Sequence, residues 1–487
     1  MGTKINNNEL KHFFYEKAVL IEAGKLAKHL IKQGKYEKSE ILSLYQDLAQ
    51  NPENFLASET FAELAAMVQK LQPPTTTDRK QEELAFDLRS EALPYQIFGA
   101  EHIESAALEQ MNTAMKLPVA VAGALMPDAH HGYGLPIGGV LATTEKAVIP
   151  YAVGVDIACR MCLSVFDIDA MYLEQKKEEF KKYLVANTFF GIGEKNKNPL
   201  PDDVWENPNW KATPFIRNLL SKAMSQIGTS GTGNHFVEWG ILEIMEENSA
   251  DLNFLPKGKY LALLSHSGSR GFGASVANHY SKIAMQKTKL PKQAQHLAWL
   301  DLDSEEGQEY WIAMNLAGEY ASANHHQIHR CLARAIGEKP VLLIENHHNF
   351  AWKETLPDGR TVIVHRKGAT PAQKGILGII PGSMATAGFV VRGKGFEQAL
   401  YSASHGAGRL MSRSKAHQTF TMSEIKKFLA EKGVMLVGGD LDEAPMVYKD
   451  INAVMLAQQD LVDILAKFIP KIVRMADPDE NKLGRED

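Results

Sequence analysis

Residues 259–273 read KYLALLSHSGSRGFG. A short apolar run stops at Ser265 and His266, and a turn of serines and glycines follows. A run of this length bounded by turn residues reads as a buried strand. The same arrangement recurs elsewhere. LPVAVAGAL (117–125) leads into MPDAHHGYGLPIGGV (126–140), and KPVLLIEN (339–346) leads into HHNF (347–350). Each strand delivers a polar residue to a loop end, where binding and catalytic groups concentrate. Helical spacing lies between them, in FIRNLLSKAMSQI (215–227) and across 290–337. TMSEIKKFLAEKG (421–433) sets Glu424 three residues after Thr421, the spacing of a capping box. Strands alternating irregularly with helices predict an α+β fold whose strands deliver loop residues to one shared site.

The region before residue 84 differs in character. KAVLIEAGKLAKHLI (17–31) and FLASETFAELAAMVQKL (55–71) carry apolar residues at three- and four-residue steps, which predicts two helical segments separated at Pro52 and Asn54. LQPPTTTDRKQEE (71–83) reads as a linker. The expected division is an N-terminal helical region and linker, 1–83, and a catalytic domain, 84–487.

A chain of 487 residues is too long for one small core. Its net charge of −5 argues against a general nucleic-acid coat, yet leaves room for a local basic groove. Three cysteines do not make a disulfide framework, and a reducing cytosol is the simplest setting. The first residues lack a signal-peptide core, and no run of about 18 apolar residues exists, so a cytoplasmic protein without a membrane span is expected.

The polar residues of the glycine-dense turns form a candidate centre. VGVDIACRM (153–161) holds Asp156 and Cys159, one turn apart if the segment is helical. A free cysteine is most often a small buried hydrophobe; beside Asp156 a metal thiolate is an equal reading. GTSGTGNHFVEWG (228–240) supplies Asn234, His235, Phe236 and Glu238. Glu238 is either a solvated strand residue or an acceptor for two adjacent donors such as guanine N1–H and N2–H₂. No βαβ unit with a following acidic residue accompanies this turn, which excludes a dinucleotide fold. HSGSRGFG pairs His266 with Arg270, and of His347 and His348 at most one faces a given site, because neighbouring strand side chains point oppositely. A lone histidine is more often a satisfied polar residue than a ligand; several in matching contexts shift that judgement. HRKGATPAQKGILGIIPGSMATAGFV (365–390) contributes Arg366, Lys367 and Ser383. SASHGAGRLMSR (402–413) contributes His405, Arg409 and Arg413, with the arginines on one side of a helix that starts after the glycines. Asp128, His130 and His131 add a further polar cluster. Nitrogen, sulfur and carboxylate donors suit a borderline divalent metal such as Mn²⁺ or Zn²⁺. With glycine turns and arginines they point to phosphoryl or nucleotidyl transfer.

In order, PDAHHGYGLPIGG, VGVDIACRM, GNHF, HSGSRG, HHN, HRKGAT, IPGSM, HGAGR and DEAPMVYKD resemble the motifs of the RtcB family of RNA ligases, across about residues 95–450. The resemblance implies an enzyme that uses GTP and Mn²⁺, with two ions. It would join RNA 2′,3′-cyclic-phosphate or 3′-phosphate ends to 5′-hydroxyl ends in repair or splicing-type joining. It implies that His405 is the nucleophile that takes GMP. Asp156, Cys159, His235, His266 and His348 become metal ligands, with Cys159 between two metals. Asn234, Phe236, Glu238, Ser383, Gly406, Ala407 and Gly408 join His405 in holding the nucleotide. Arg270, Lys367, Arg409 and Arg413 hold phosphates or RNA, with Asp128 near the reacting phosphate.

Two other readings of the site are an enzyme that only guanylylates 3′-phosphate ends or only opens cyclic phosphates, and a non-catalytic RNA-binding factor. Four positions depart from the family's pattern. Ala158 and Arg160 replace glycines beside Cys159, which sets charge and bulk next to the metal centre. Gly388 stands where a nucleotide-contacting serine is common. The family's terminal guanine-contacting lysine has no counterpart, and FIPKIVRMADPDENKLGRED (468–487) places Arg474 or Met475 near that register.

Overall fold

The computed structural model describes residues 84–245, 250–252 and 255–478, and, in the N-terminal region, residues 5, 7–10, 13–14, 17–33, 36, 38–50, 52–56, 58 and 60–71. The chain forms two compact units, Met1–Glu82 and Glu83–Asp487. The proposed linker's residues 72–83 lie outside the described residues.

The first unit contains helices α1 (Lys17–Lys32), α2 (Lys38–Gln50) and α3 (Ala62–Leu71), with a short 3₁₀ turn at Pro52–Phe55. The expected two segments are therefore three longer helices. The break at Pro52 is present, and among the described residues α1 ends at Lys32 and α2 starts at Lys38. Leu10, Phe14, Val19, Ala23, Ile41 and Tyr45 are among the residues of its own buried core.

Two sheets organise the second unit. In chain order their strands are β1 (Gln96–Ile97), β2 (Ala120–His130), β3 (Ile137–Thr144), β4 (Arg160–Asp169), β5 (Phe236–Ile244), β6 (Gly258–Ser267), β7 (Leu342–His347), β8 (Asn349–Thr355), β9 (Thr361–Lys367), β10 (Leu377–Ile380), β11 (Gly388–Gly393), β12 (Met435–Val437) and β13 (Val462–Met475). The five-stranded sheet has the order β8-β9-β3-β2-β1, and the eight-stranded sheet the order β7-β4-β6-β5-β13-β11-β10, with β12 parallel to β13. Its helices include α4 (Pro214–Gln226), α5 (Arg270–Lys287), α6 (Glu305–Ile336), α7 (Arg413–Thr419) and α8 (Met422–Glu431). The mixed sheets and helices make the fold α+β, as expected.

The three quoted apolar runs become β2, β6 and β7. The region 290–337 is less uniformly helical than its spacing predicts. A 3₁₀ turn (Lys292–Leu297) and a short strand (Leu300–Asp301) precede α6, which starts where Ser304 caps Gly307 N. The capping box at Thr421 and Glu424 forms at the start of α8.

Strand parity decides what the large sheet presents on each face, because successive side chains alternate. On β6, Ala262 and Leu264 enter one core while Leu261 and Leu263 enter another, the latter with Ile328 and Leu332 of α6. On β4, Met161, Leu163 and Val165 share the first core and Phe166 the second. On β5, Leu242 and Ile244 take the first face and Val237, Trp239 and Ile241 the second. Carried to the strand ends, this alternation sends His266, Cys159, Glu238 and His348 to one side. Ser265, Ser267, Arg160, Cys162, Ser164 and His347 go to the other, towards α6.

Candidate active site

A cleft of about 730 Å³ opens where the ends of the two sheets meet, within the range of ligand sites. Asp156, Cys159, His235, His266, His348 and His405 all line it. So do Asn234, Phe236, Glu238, Ser383, Gly406, Ala407, Gly408, Lys367, Arg409 and Arg413. The sequence motifs, spread from Asp156 to Arg413, thus converge on one cavity.

The metal-capable donors form two groups that share Cys159: Cys159 with His266 and His348, and Cys159 with Asp156 and His235. Cys159 Sγ lies 3.1 Å from His266 Nε2 and 3.5 Å from His235 Nε2. His266 Nε2 lies 3.2 Å from His348 Nε2, and His235 Nε2 lies 3.1 Å from Asp156 Oδ2. His266 donates its Nδ1 proton to Asn234 O at 3.1 Å, so its Nε2 lone pair faces the cluster. Such an outer hydrogen bond fixes the tautomer a metal ligand needs. Burial, then His235 and the other nearby histidines, hold His266 down at about 3 and keep it neutral, while His348 is pushed well below the usual range by burial and neighbouring histidines. Burial and Asp156 together raise the Cys159 thiol well above its ordinary value. Imidazoles, a buried carboxylate and a thiol crowd their donor atoms at these distances, with Asp156 Oδ2 and His348 Nδ1 making no hydrogen bond of their own. A divalent cation supplies a counter-charge and deprotonates the thiol, so this donor set fits the group it is expected to hold.

Close backbone approach makes this crowding possible. A methyl group at Gly268 would stand 2.2 Å from both Asp156 carboxylate oxygens, and one at Gly231 would stand 2.1 Å from His235 Nδ1. Asp156 and Cys159 are not on a helical turn as expected. Cys159 N donates to Asp156 O at 3.2 Å across a tight turn in which Ala158 adopts a left-handed φ of 58°. Glycine is the residue that suits this conformation, which accounts physically for the family's glycine at this position; nothing in the structure explains the alanine that replaces it.

The opposing wall holds His405. Its Nδ1 donates to Asp128 Oδ2 at 2.7 Å, and the same oxygen accepts from His405 N at 3.1 Å and Gly406 N at 3.3 Å. Nε2 therefore carries a lone pair toward the cleft, with the His348 ring 4.9 Å away between centroids. Burial alone would raise the Asp128 carboxyl, but His405, Lys449 and His130 outweigh it and hold the group below its usual range. Asp128 is fully buried and does not line the cleft. It anchors His405, and the expected phosphate contact is corrected: an anionic carboxylate that accepts three N–H bonds has nothing to offer a phosphate.

Arg270 is likewise placed elsewhere. Its guanidinium donates to Thr229 Oγ1 at 3.0 Å and Gly191 O at 2.8 Å, and it supports the 228–235 turn from behind instead of facing the cleft. Arg409 lines the cleft, but its guanidinium lies 3.3 Å from Glu443, donates to Asp442 O at 2.7 Å and sits over the Tyr448 ring. The expected helix after the glycines begins only at Arg413, so the two arginines do not share a helix side. Arg413 lies 3.8 Å from Asp442 and keeps partial exposure. Lys367 is buried, donates to Tyr133 O and is lowered by that burial to about 7.

At the nucleotide end, Glu238 is buried, which overturns its solvated alternative, and desolvation pushes its carboxyl well above the usual range. Met475 pairs with Phe236 across β13 and β5 and lines the same cleft, whereas Arg474 donates to Val185 O at 2.5 Å and lies over Phe190 on the other side. Arg160 also faces away from the cleft: it pairs with Glu345 at 3.0 Å and donates to Gly318 O at 3.0 Å and His347 Nδ1 at 3.0 Å. Its charge and bulk fall behind the centre because β4 alternates.

Sequence reading missed Lys449, whose Nζ donates to Pro127 O and Ala129 O beside Asp128. It also missed Asn349, which donates to Asp156 O and accepts from Gly368 N. Asn349 stands inside the HHN motif, so that signal was present; Lys449 had none beyond the motif DEAPMVYKD.

Comparison with known proteins agrees with this geometry. The family model described as tRNA-splicing ligase RtcB matches residues 110–213 and 206–476. An RNA-splicing ligase RtcB of Escherichia coli is 33% identical over 395 residues, covering 74% of this chain and 92% of the relative. The tRNA-splicing ligase RtcB of Methanococcus maripaludis is 30% identical over 420 residues, covering 73% and 88%. An RNA-splicing ligase RtcB of Mycobacterium tuberculosis is 31% identical over 427 residues, covering 74% and 99%. A match that runs from residue 110 to residue 476, and so takes in every donor and nucleotide-end residue of the cleft, shows that the chain belongs to the RtcB family.

Proposed function

We propose that this protein is a GTP- and Mn²⁺-dependent RNA ligase that joins 2′,3′-cyclic-phosphate or 3′-phosphate ends to 5′-hydroxyl ends through a guanylylated histidine. The catalytic domain is residues 84–487, with residues 1–83 as an N-terminal helical region and linker, and the setting is cytoplasmic. Among the described residues no helix is long and apolar enough to cross a membrane. The observation that carries the reading is the His405 imidazole, oriented by Asp128 with Nε2 aimed into a cleft it shares with two donor groups joined at Cys159.

His405 Nε2 attacks the α-phosphate of GTP; the Nε2–P bond forms and the bond to the pyrophosphate leaving group breaks. Asp128 holds the Nδ1 proton throughout and stabilises the positive charge that develops on the ring. Asp156, Cys159, His235, His266 and His348 are the residues that would hold two divalent cations, which when bound would supply charge neutralisation at the reacting phosphates. Lys367 and Arg413 face the phosphates. Asn234 contacts the nucleotide, Phe236 lies against the base, Glu238 accepts from the guanine edge, and Ser383 with Gly406–Gly408 line its path. GMP then passes from His405 to the RNA 3′-phosphate, and the 5′-hydroxyl displaces it to form the phosphodiester. A cyclic phosphate is opened by water first.

Incubation with α-labelled GTP and Mn²⁺ tests the covalent step. An acid-labile label is expected in the wild type and absent in His405→Ala. A label that persists in that variant, or a wild type without one, defeats the reading. Addition of RNA with a cyclic phosphate and a 5′-hydroxyl separates ligation from its alternatives: labelled 3′ ends without joined product select end capping, and RNA retention without chemistry selects a binding factor.

A further inference from the structure

Behind the cleft, α6 presents a polar stripe to the back of the strands that carry the donors. Asn324 is fully buried and uses its whole amide. Its Oδ1 accepts from Gly228 N at 2.7 Å, and its Nδ2 donates to Thr229 O at 3.0 Å, Ser267 Oγ at 3.2 Å and Gly268 O at 3.4 Å. One side chain thus ties the start of the turn that leads to His235 to the peptides that follow His266. The same Gly268 backbone packs against the Asp156 carboxylate, and Ser269 N donates to Asp156 Oδ1 at 3.1 Å.

His325 continues the link. Its Nε2 lies 3.0 Å from Ser267 O, which accepts only, so Nε2 carries the proton. Nδ1 then accepts from the Ser265 hydroxyl at 2.7 Å. With its proton so placed, Ser265 Oγ accepts from His329 Nε2 at 2.8 Å, and His329 Nδ1 accepts from the Ser164 hydroxyl at 2.8 Å. The chain closes with every ring nitrogen in use. Cys162, His325 and His329 stand close enough to hold a metal themselves. The completed hydrogen bonds and full burial instead favour a neutral, fixed network.

We propose that α6 is the positioning scaffold of the metal centre, with Asn324 and His325 as positioning residues that fix the strand ends bearing His235, Asp156 and His266. The inference rests on the metal reading of the proposed function. Outer hydrogen bonds of this kind typically change metal affinity by about 10- to 100-fold.

Titration of the full-length protein with Mn²⁺ alone, and with Co²⁺ followed by its visible spectrum, tests this without GTP or RNA. His325→Phe is expected to weaken metal binding roughly tenfold or more and to shift the Co²⁺ spectrum. His325→Gln, which keeps one acceptor and one donor, is expected to stay within about threefold of the wild type. Ser265→Ala removes only the hydroxyl link and is expected to weaken binding by about threefold or more, which keeps the test decisive if His325→Phe does not fold. Wild-type affinity and spectrum in both Ser265→Ala and folded His325→Phe overturn the proposal. So does loss of a separate bound metal equivalent in His325→Gln with the pair unaffected, which would make the ring a ligand. A wild type that binds no metal defeats the metal reading itself, a result distinct from either.

Discussion

His405 is useful as a nucleophile only while its lone pair stays on Nε2, and Asp128 is what keeps it there. The carboxylate accepts the Nδ1 proton and two backbone N–H groups at once. Asp128→Asn keeps the shape but favours the opposite tautomer, in which Nδ1 accepts. The guanylylation rate should fall by roughly 10²–10⁴-fold, read as label formed in a single turnover, while thermal stability changes little by comparison. Lys367 poses a second problem at this scale. Burial lowers it to about 7 from an ordinary 10.5. Between those values the unfolded chain binds a proton that the folded chain does not, so stability rises with pH through that window. Thermal midpoints of the wild type should therefore climb from about pH 7 to about pH 9, and Lys367→Met should flatten the climb and be the more stable protein at about pH 7. The same variant should bind GTP more weakly, because the amine that faces the phosphates and would take up its proton beside them is gone; unchanged GTP affinity would remove Lys367 from the site. These residue-level couplings were hard to read in the chain. The histidines announced themselves through their glycine-dense turns, whereas Asp128 and His405 are 277 positions apart and nothing local to either names the other.

At the scale of elements, period-two alternation does most of the positioning. It turns His266, Cys159 and His348 into the cleft, and it turns their neighbours Ser265, Arg160 and His347 toward α6. The apolar runs and their stops were therefore enough to find the strands and the donors. Alternation along β4 also points Arg160 and Cys159 apart, whereas the sequence, read as a motif, set the charge and bulk of Arg160 beside the centre. The α6 stripe escaped notice because a long helix with Asn324, His325 and His329 resembles an ordinary polar face until the serines opposite are known; the four-residue spacing of the two histidines was the available signal. The β5–β13 pairing tests how tightly the nucleotide end is built. A methyl group at Gly240 would stand 2.4 Å from Phe468 Cζ and 2.5 Å from Ile469 O. One neighbour is backbone, in a strand whose register already shifts between Pro470 and Ile472. Gly240→Ala should cost roughly 1–3 kcal/mol, measured by denaturant unfolding, and should weaken GTP binding as Glu238 and Met475 lose their register. A variant as stable as the wild type would mean that the strands separate more easily than this packing implies.

For the whole molecule, the two units have separate buried cores, and metal is expected to bind only one of them. A ligand that binds only the folded form stabilises it by mass action, by about 2.7 kcal/mol at a hundredfold excess over Kd. In a unit of this size that amounts to a midpoint shift of roughly a few degrees. Calorimetry of the full chain with Mn²⁺ should show two transitions, one for the N-terminal helices and one for the larger unit. A chelator should lower the second alone, because all five proposed ligands lie between Asp156 and His348 and are carried by strand ends and turns of that unit. Asp156→Ala should reproduce the chelated midpoint in the presence of Mn²⁺ and make it insensitive to chelator. Deletion of residues 1–82 should remove the first transition and leave both the Mn²⁺-dependent shift and the His405 label in place. Loss of the shift in the truncated protein would show that the helical appendage helps to form the metal centre, which its separate core gives no reason to expect.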